Sequence, residues 1–339
     1  MKIILDAMGS DNAPDVEIQG TLDCLKEQGD ISIILTGKKD LLESKLNAMH
    51  VSSDVRGRIE IYHASEVITM SDSPAQAFKQ KPDSSIVVAA KLLKEEKADA
   101  LVSAGNTGAV VVTSLLIAGR IPGVLRPALC STFPSKKGYT AVLDVGATVE
   151  CKPEYLAQFA IMGSLYAEHI LNINKPVVGL LNVGEEEKKG NETLNAALEL
   201  IKKTDINFRG NAEGRDIMNG NFDVIVCDGF VGNALLKFGE GIGNFVFASL
   251  KEGIKKGNTL NKIGVFLMQP VFEDLKKRMT YDEYGGAILL GIKKPIIKTH
   301  GNATTKAIKN SIKTAAKFVA ERINSEIERS VNKIKPEEE

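Results

Sequence analysis

Tryptophan is absent from this 339-residue sequence, and phenylalanine and tyrosine together make up only 5% of it. No run of apolar residues reaches the roughly 18 that would indicate a membrane-spanning helix. The formal net charge is zero, which argues against a general nucleic-acid-binding surface. The N-terminal MKIILDAMG is too short for a secretion signal, so we interpret it as a first β-strand and expect a cytoplasmic protein.

Cysteine and histidine are scarce, with four residues of each kind spread along the chain. Neither CxxC, HxxxH nor HExxH occurs, so we expect reduced, mostly buried thiols and no metal site. The motifs GxxxxGK(S/T) and GxSxG are also missing, which argues against a P-loop nucleotide site and a serine hydrolase. The segment FGEGIGN, Phe238–Asn244, imitates the dinucleotide-binding GxGxxG but lies in a helical pattern. Its glycines favour close helix packing, and the sequence predicts no cofactor.

Short segments rich in β-branched residues alternate with helical patterns along the chain. The candidate strands are Lys2–Leu5, Ile31–Leu35, Ile59–Ile61, Ala100–Ser103, Thr140–Leu143, Val177–Leu181, Ile206–Phe208, Val224–Cys227 and Ile296–Thr299. This alternation predicts an α/β protein with a largely parallel sheet and helices on both faces. Near the C-terminus, apolar residues from Ile308 to Ile327 predict one long helix. We expect residues 1–330 to form a single unit, followed by a charged tail at 331–339.

The segment 244–279 has a different pattern from the rest of the chain. Apolar residues lead into and out of KKGNT, residues 255–259, and lysines are interleaved with them. The pattern predicts a protruding helical hairpin. One interpretation is that the hairpin packs in a dimer interface, and another is that its apolar residues, ringed by lysine, contact a membrane surface. The two interpretations are compatible.

Several candidate strands end in loops of glycine and small polar residues. These loops are LDAMGSDNAP, SAGNTGA, LDVGAT, LLNVGEEEKKGN, VCDGFVGN and KTHGNAT. In an open parallel sheet, ligands bind outside the carboxyl ends of the strands, so we predict that the loops share one rim and line a substrate cleft. Glycine-rich loops that open helices favour phosphate or carboxylate. This chemistry suits a group transfer in which the substrate, such as inorganic phosphate, supplies its own nucleophile.

Positively charged residues near these loops have two interpretations. Lys188, Lys189 and His300 would supply charge or hydrogen bonds to an anion. Alternatively, the lysines belong to a solvated EEEKK run, and the histidine stabilises a turn.

The loop motifs, together with YGGAILLGIKKPIIKTHG, resemble those of the bacterial phosphate acyltransferases, the fatty acyl-ACP:phosphate acyltransferase family. The resemblance runs in order from residue 1 to about 330. Ser10, Thr148 and Glu150 stand where the family pattern would have Gly, Asn and Asp. The resemblance implies a three-layer α/β/α sandwich, similar to phosphotransacetylases and to the isocitrate/isopropylmalate dehydrogenase group.

The resemblance also implies a reaction and its partners. A long-chain acyl thioester of acyl carrier protein would react with inorganic phosphate to give acyl phosphate. A membrane glycerol-3-phosphate acyltransferase would then use that product for phospholipid synthesis. The implied protein is a homodimer associated peripherally with the membrane surface, with no nucleic acid partner. Basic residues for the acidic carrier protein would come from Arg120, Arg126, Lys136, Lys137, Arg209 and Arg215.

The resemblance finally implies roles for particular residues. Lys189 would neutralise and orient phosphate, and Asn233 would donate its amide to the developing oxyanion. The residues implied in phosphate or substrate binding are Asp6, Met8, Gly9, Ser103, Gly105, Asn106, Thr107, Gly108, Asp228, Gly229, Gly232, His300 and Gly301. As an alternative, Asp6, Asp144 and Asp228 would fix their loops through capping hydrogen bonds.

Three other functions remain open at the level of sequence. A short-chain phosphotransacetylase would use coenzyme A and ignore the carrier protein. A scaffold for lipid-synthesis enzymes would need no Asn233. A metal-dependent dehydrogenase is the least supported of the three, because no carboxylate cluster or dinucleotide fingerprint is evident.

Overall fold

Eleven strands form one continuous sheet in the computed structural model, which describes residues 1–279 and 285–333. The strands are β1 (Lys2–Asp6), β2 (Ser32–Gly37), β3 (Ile59–His63), β4 (Ala100–Ser103), β5 (Ala128–Ser135), β6 (Gly138–Leu143), β7 (Val178–Leu181), β8 (Phe208–Ala212), β9 (Val224–Val226), β10 (Ala287–Leu290) and β11 (Ile296–Lys298).

Helices connect most of these strands. They are α1 (Asp15–Glu27), α2 (Lys39–Ala48), α3 (Ser53–Gly57), α4 (Pro74–Gln80), α5 (Ser85–Lys94), α6 (Thr107–Thr113) continued by a π-helical turn (Ser114–Ala118), α7 (Pro153–His169), α8 (Glu192–Lys202), α9 (Asp216–Asn219), α10 (Gly229–Lys256), α11 (Thr259–Leu267), α12 (Gln269–Met279), α13 (Thr305–Ala320) and α14 (Ile323–Val331).

The order of strands across the sheet is β3-β2-β1-β4-β11-β10-β5-β6-β9-β7-β8. Strands β3, β2, β1, β4 and β11 are mutually parallel, and so are β6, β9, β7 and β8. Between the two groups, three successive pairings are antiparallel: β11 with β10, β10 with β5, and β5 with β6. The two parallel groups therefore run in opposite directions.

Side chains of the central strands alternate between two hydrophobic cores. On β1, Ile3 and Leu5 belong to one core and Ile4 to the other, and each of the three is fully buried. Residues one apart on a strand point to opposite faces, so helices cover both faces of the sheet. The predicted α/β sandwich with a largely parallel sheet is confirmed.

Two strands were not predicted from the sequence. Strand β5, ALCSTFPS, contains serine, threonine and proline, and β10 follows two glycines with positive φ, Gly285 and Gly286. Both are antiparallel to their neighbours in the centre of the sheet. The two strands that the sequence did not predict are thus the ones at which the strand direction reverses.

The prediction of one long C-terminal helix is wrong, because the chain breaks into α13 and α14. Arg322 lies between them with φ 53°, a left-handed conformation that interrupts the helix. The apolar stripe nevertheless continues across the break, since Ile308, Ile312, Ile323 and Ile327 are all fully buried. Helix α13 packs against α1 at Gly20, where a Cβ would lie 2.7 Å from the Cβ of Ile308.

The predicted hairpin at 244–279 differs from the observed arrangement. Helix α10 already begins at Gly229 and has 28 residues, which makes it about 42 Å long. Two separate helices, α11 and α12, follow it instead of one. The glycines of FGEGIGN were predicted to serve close helix packing. At Gly241 this does not hold, because a Cβ there would meet nothing within 4 Å. Whether residues 1–330 form a single folding unit stays a prediction.

Large apolar side chains are exposed along this helical segment. The exposed residues include Phe230, Phe238, Ile242, Phe245, Val246, Ile263, Phe266, Leu267, Met268, Val271 and Leu275. Among the helices described, none combines the length and apolar character needed to cross a membrane.

Candidate functional site

The loops at the carboxyl ends of the strands fall into two groups. The first loop cluster consists of residues 7–14, 104–106 and 299–304, which follow β1, β4 and β11. The second loop cluster consists of residues 144–152, 182–191 and 227–228, which follow β6, β7 and β9. Because the two groups of strands run in opposite directions, the loops do not lie at one edge of a parallel sheet. Whether the two clusters line one substrate cleft stays a prediction.

In the first cluster, the strand ends are locked by a buried carboxylate. Asp6, Ser103 and Lys298 stand side by side in the register of β1, β4 and β11. The Ser103 hydroxyl donates to Asp6 at 2.7 Å and accepts from the Gly105 N–H at 3.0 Å. Burial raises the pKa of Asp6, while hydrogen bonds from Ser85, Ser103 and the Met8 N–H oppose that rise.

Glycines allow the loops of the first cluster to touch. A Cβ on Gly9 would lie 2.6 Å from the Gly105 nitrogen, and one on Gly301 would lie 2.6 Å from the Met70 Cε. The Asp11 N–H donates to the Gly301 carbonyl at 2.8 Å. Met8 packs against Gly37 instead of pointing into the cluster's centre. The structure thus brings together the predicted residues of three separate motifs.

Asn106, predicted as a binding residue, is occupied by structural contacts. Its side-chain oxygen accepts from the Ala109 N–H at 3.1 Å and caps α6. Its amide nitrogen donates to the carbonyl oxygens of Thr69, Met70 and Asp72 at 3.1–3.3 Å. Of its two neighbours in the motif, Thr107 is exposed at the first turn of α6. A Cβ on Gly108 would lie 2.4 Å from Pro74.

Helix α10 reaches the first cluster at His300. The His300 Nε2 lies 3.8 Å from Glu240 Oε1, and Glu240 pairs with Lys237 at 2.7 Å. The His300 Nδ1 accepts from the Asn302 N–H at 3.1 Å, a bond that stabilises the turn. Burial lowers the pKa of His300, so its imidazole is mostly neutral at pH 7. Its other nitrogen faces α10, and the side chain is half exposed.

The second cluster is organised around Asp144. This fully buried carboxylate accepts from the N–H groups of Leu129, Gly146, Ala147 and Thr148 at 2.5–3.1 Å. Burial raises the pKa of Asp144 to about 6, and these four donors act in the opposite direction. The alternative interpretation, in which this aspartate fixes its loop, agrees with the geometry.

The start of α10 lies directly against the Asp144 loop. Asp228 caps the helix by accepting from the Val231 N–H at 2.9 Å, so its carboxylate has a structural role. The Gly229 N–H donates to the Thr148 carbonyl at 2.9 Å. A Cβ on Gly232 would lie 1.9 Å from the Asp144 carbonyl oxygen, a distance that only glycine permits. These glycines therefore allow the backbone of α10 to lie directly against the backbone of the Asp144 loop.

Asn233 is the residue of α10 that follows Gly232, and its side chain lies beside the Asp144 loop. It is exposed, and its side-chain oxygen lies 3.5 Å from the position of a Cβ on Gly146. Its amide is thus placed beside a loop whose backbone is already fixed by Asp144. The arrangement presents a polar side chain to a ligand at the carboxyl ends of β6 and β9.

Lys189 lies on the loop after β7, the strand next to β9. Asn182 holds this loop by donating to the Lys189 carbonyl at 2.9 Å, and Gly190 beside it has φ 94°. The Lys189 side chain is 51% exposed, and its ammonium is 3.9 Å from Glu186. Lys189 follows β7, and Asn233 lies near the start of α10, which follows the neighbouring parallel strand β9. Lys188 is exposed, which leaves its interpretation as part of a solvated run open.

Neither thiol nor metal chemistry stands out in the residues described. Cys151 lies near the second cluster, and burial raises the pKa of its thiol to about 12, so it is not a thiolate at neutral pH. Within residues 1–279 and 285–333, no three histidine, cysteine or acidic side chains are grouped to hold a metal ion.

Sequence reasoning missed Lys298 as a residue of interest. It ends β11, is only 8% exposed, and stands next to Ser103 in the sheet. Burial lowers the pKa of Lys298 to about 8, and the charge of Lys237 acts in the same direction. Its position two residues before His300, on an otherwise apolar strand, was the signal available in the sequence.

Comparison with known proteins gives a consistent result along the whole chain. A family model described as a fatty acid synthesis protein matches residues 1–326. A phosphate acyltransferase of Brevibacillus brevis is 46% identical over 334 residues, with 98% of each chain covered. One of Alkaliphilus oremlandii is 47% identical over 338 residues, covering 100% of this chain and 99% of the relative.

Solved structures with a similar fold are more distant in sequence. A phosphotransacetylase from Streptococcus pyogenes superposes with a TM-score of 0.60 at 16% identity, covering 93% of both chains. One from Staphylococcus aureus gives a TM-score of 0.58 at 15% identity, covering 94% of both. At these identities the likeness describes the fold.

Proposed function

The chain belongs to the phosphate acyltransferase family and is an acyltransferase, and from this premise we propose that it transfers a long-chain fatty acyl group from acyl carrier protein to inorganic phosphate. The observation that carries the proposal is that Lys189 and Asn233 follow the neighbouring parallel strands β7 and β9, Lys189 on a loop and Asn233 near the start of α10. The product, an acyl phosphate, would serve phospholipid synthesis through a membrane glycerol-3-phosphate acyltransferase.

The reaction needs no covalent acyl-enzyme. An oxygen of the hydrogen phosphate dianion forms a bond to the thioester carbonyl carbon, and the carbonyl oxygen becomes an oxyanion. The C–S bond then breaks, and its electron pair leaves with the sulfur. The proton of the phosphate ends on the thiol of the carrier's pantetheine arm. The high pKa of the Cys151 thiol agrees with direct attack by phosphate.

Each residue in this proposal does one task. Lys189 places a positive charge next to the attacking phosphate, and its exposure leaves it free to move toward a ligand. Asn233 donates its amide N–H to the oxyanion, an interaction typically worth about 3–4 kcal/mol of barrier reduction. Asp144 and Asp228 do not touch the reacting atoms in this scheme. They hold the backbone on which Asn233 stands.

Basic residues suited to an acidic carrier protein gather around α9. Lys136 donates to the Asn219 side chain at 3.1 Å, and Lys137 packs against Gly220. Arg209 donates to the Asn221 carbonyl at 3.3 Å. Arg215, the other candidate here, is already paired with Glu213 at 2.8 Å. We propose that the surface formed by the first three residues contacts the carrier protein.

The exposed apolar residues of α10, α11 and α12 support two further proposals. An apolar surface of this extent is rare on a monomer and marks an interaction site. We propose that α10 packs against a second copy in a homodimer. Residues beyond it, including Phe266 and Leu267 at 73% exposed each, would contact the membrane surface peripherally.

A direct test measures the release of free carrier protein from palmitoyl-carrier protein with and without inorganic phosphate. We expect release that depends on phosphate, together with formation of palmitoyl phosphate. Asn233→Ala should lower the rate by about 10²–10³-fold, as expected for the loss of an oxyanion donor. Asn244→Ala is the matched control, since Asn244 is exposed on the same helix.

Each outcome of this test is informative. Release independent of phosphate would indicate a thioesterase and would reject the proposal. Activity with acetyl-coenzyme A but not with the carrier protein would identify a short-chain phosphotransacetylase. Equal rates for the Asn233 and Asn244 variants would remove Asn233 from the reaction centre.

A further inference from the structure

Lys298 is a buried cation without a matching anion. It is 8% exposed at the carboxyl end of β11. Within the ranges that the structure describes, its ammonium group makes one hydrogen bond, to the carbonyl of the next residue, Thr299, and no ion pair. An ammonium has three donors, and a buried charge is costly unless it is paired and hydrogen-bonded.

The carboxylates around Lys298 are committed elsewhere. Asp6 already receives the Ser103 hydroxyl and the Met8 N–H, and burial raises its pKa. Glu240 is paired with Lys237 at 2.7 Å. Lys237 also adds a second positive charge close to Lys298. Asp11 is near enough to attract Lys298 but does not form an ion pair with it.

The loop after β1 contains a second buried polar group. The Ser10 hydroxyl is buried and makes no hydrogen bond of normal geometry among the residues described, although it faces the Glu17 carboxyl and lowers the pKa of that group. Ser10 precedes Asp11, whose N–H reaches the loop that carries His300. The first cluster therefore combines a cation with unused donors, a buried hydroxyl and glycine backbone at Gly9 and Gly105.

We propose that Lys298 holds a phosphate-class oxyanion at the first loop cluster. A dianion there would supply the missing counter-charge and accept the unused N–H donors, and the Ser10 hydroxyl would complete the contact. The inference rests on the proposed function, whose substrates are inorganic phosphate and a phosphopantetheine thioester. Two sources carry this chemistry: inorganic phosphate itself, and the phosphate of the donor's pantetheine arm.

The test is calorimetric binding of inorganic phosphate, and separately of 4′-phosphopantetheine, to the full chain. Lys298→Met removes the charge and keeps most of the side-chain volume. We expect the affinity for one of the two ligands to fall at least about tenfold, because hydrogen bonds to charged groups are strong. Lys94→Met, at the exposed C-terminal end of α5, is the control and should bind as the wild type does.

Thermal unfolding provides a second readout that does not depend on activity. Removing an unpaired buried charge should raise the melting temperature of the ligand-free protein by about 2 °C or more. The ligand that stabilises the wild type should then stabilise Lys298→Met much less. Unchanged affinity of Lys298→Met for both ligands would overturn the proposal.

The wild type alone supplies a test if the variant fails to fold. Affinity should fall as the pH rises through about 8, where Lys298 loses its proton. The other charged groups facing it are Asp6, Asp11, Lys237, Glu240 and His300. Of these, His300 has a lowered pKa and does not titrate in this range. A constant affinity between pH 7.5 and about 9.5 would contradict the proposal.

The results separate this inference from the proposed function. If the wild type forms no acyl phosphate, the binding measurements still decide whether Lys298 holds an oxyanion. If acyl phosphate forms and Lys298→Met retains the wild-type affinity and KM for phosphate, only the inference about Lys298 fails.

Discussion

The two loop clusters handle buried charge in opposite ways. In the second cluster, Asp144 is fully buried but accepts four backbone N–H groups, and the side chains offered to a ligand, Lys189 and Asn233, are exposed. Beside the first, the buried groups Glu17 and Lys298 are left incompletely paired. The second cluster thus combines a hydrogen-bonded backbone with exposed polar side chains, whereas buried and incompletely paired charged groups lie beside the first cluster.

The largest expected effect on stability concerns the contact between the start of α10 and the Asp144 loop. Gly232→Ala should lower the free energy of unfolding by about 3 kcal/mol or more, because its Cβ would lie 1.9 Å from the Asp144 carbonyl oxygen. Gly241→Ala on the same helix should stabilise by about 0.5–1 kcal/mol, since its Cβ meets open space and alanine favours helix. Urea unfolding of both variants checks the difference, and equal effects would contradict the contact.

The next prediction concerns Glu17, a fully buried carboxyl of α1 that lies beside the first cluster. Burial raises its pKa from 4.5 to about 7, and the nearby Asp6 charge acts in the same direction, while the Ser10 side chain and the Ser10 N–H at 3.2 Å oppose the rise. Between these values the folded state keeps a proton that the unfolded chain has lost. The resulting stabilisation, about 3 kcal/mol, is present below pH 4.5 and lost as the pH rises through 7.

Glu17→Gln should remove this dependence. Urea unfolding at pH 5 and pH 8 would show a smaller stability difference for the variant than for the wild type. Asp144→Asn, in the second cluster, should also reduce the pH dependence, because burial raises the pKa of Asp144 to about 6 despite its four N–H donors. A pH dependence that Glu17→Gln leaves intact would show that Glu17 is not its source.

Ser103→Ala should have an intermediate effect. The change removes the 2.7 Å donor to Asp6 and the acceptor of the Gly105 N–H. We expect a loss of about 1–3 kcal/mol in the free energy of unfolding, because a buried carboxyl loses its partner. Ser103→Thr retains the hydroxyl and should recover part of that loss in the same measurement.

The smallest effects on stability are expected at Lys188 and Lys189. Both side chains are exposed, so alanine at either position should change the free energy of unfolding by less than about 0.5 kcal/mol. Only Lys189→Ala should strongly reduce acyl phosphate formation. Comparable activity losses in both variants would favour a general electrostatic role for the charged run.

Local sequence patterns predicted most of the parallel strands but not the geometry that divides the loops into two clusters. The strands β1 and β4 are short apolar segments followed by glycine, and their bounds differ little from the prediction. Strands β5 and β10 lack that pattern, and they are the elements that reverse the chain direction. The division into two clusters follows from pairings between distant segments, which no local pattern encodes.

Local sequence patterns likewise identified candidate residues but not the contacts that those residues make. The glycines of the loop motifs were correctly singled out, but Gly232 serves contact with Asp144 and Gly9 serves contact with Gly105. A lysine in a sequence is ordinarily solvent-exposed, so the burial of Lys298 became visible only when β11 was placed inside the sheet. The roles of Lys189, Asn233 and His300 in substrate binding stay predictions.

Helix α10 begins against the Asp144 loop and brings Glu240 to His300 without interruption. The start of α10 and Glu240 are therefore set in phase, since each inserted residue would rotate everything beyond it by about 100° and advance it by about 1.5 Å. A single-residue insertion between Asn233 and Lys237 would keep the Asp228 cap but turn Glu240 away from His300. An insertion or deletion in this stretch would therefore disrupt the contact between Glu240 and His300. The turn at Gly257 and Asn258 lies beyond that contact, so a change of length there would leave it intact.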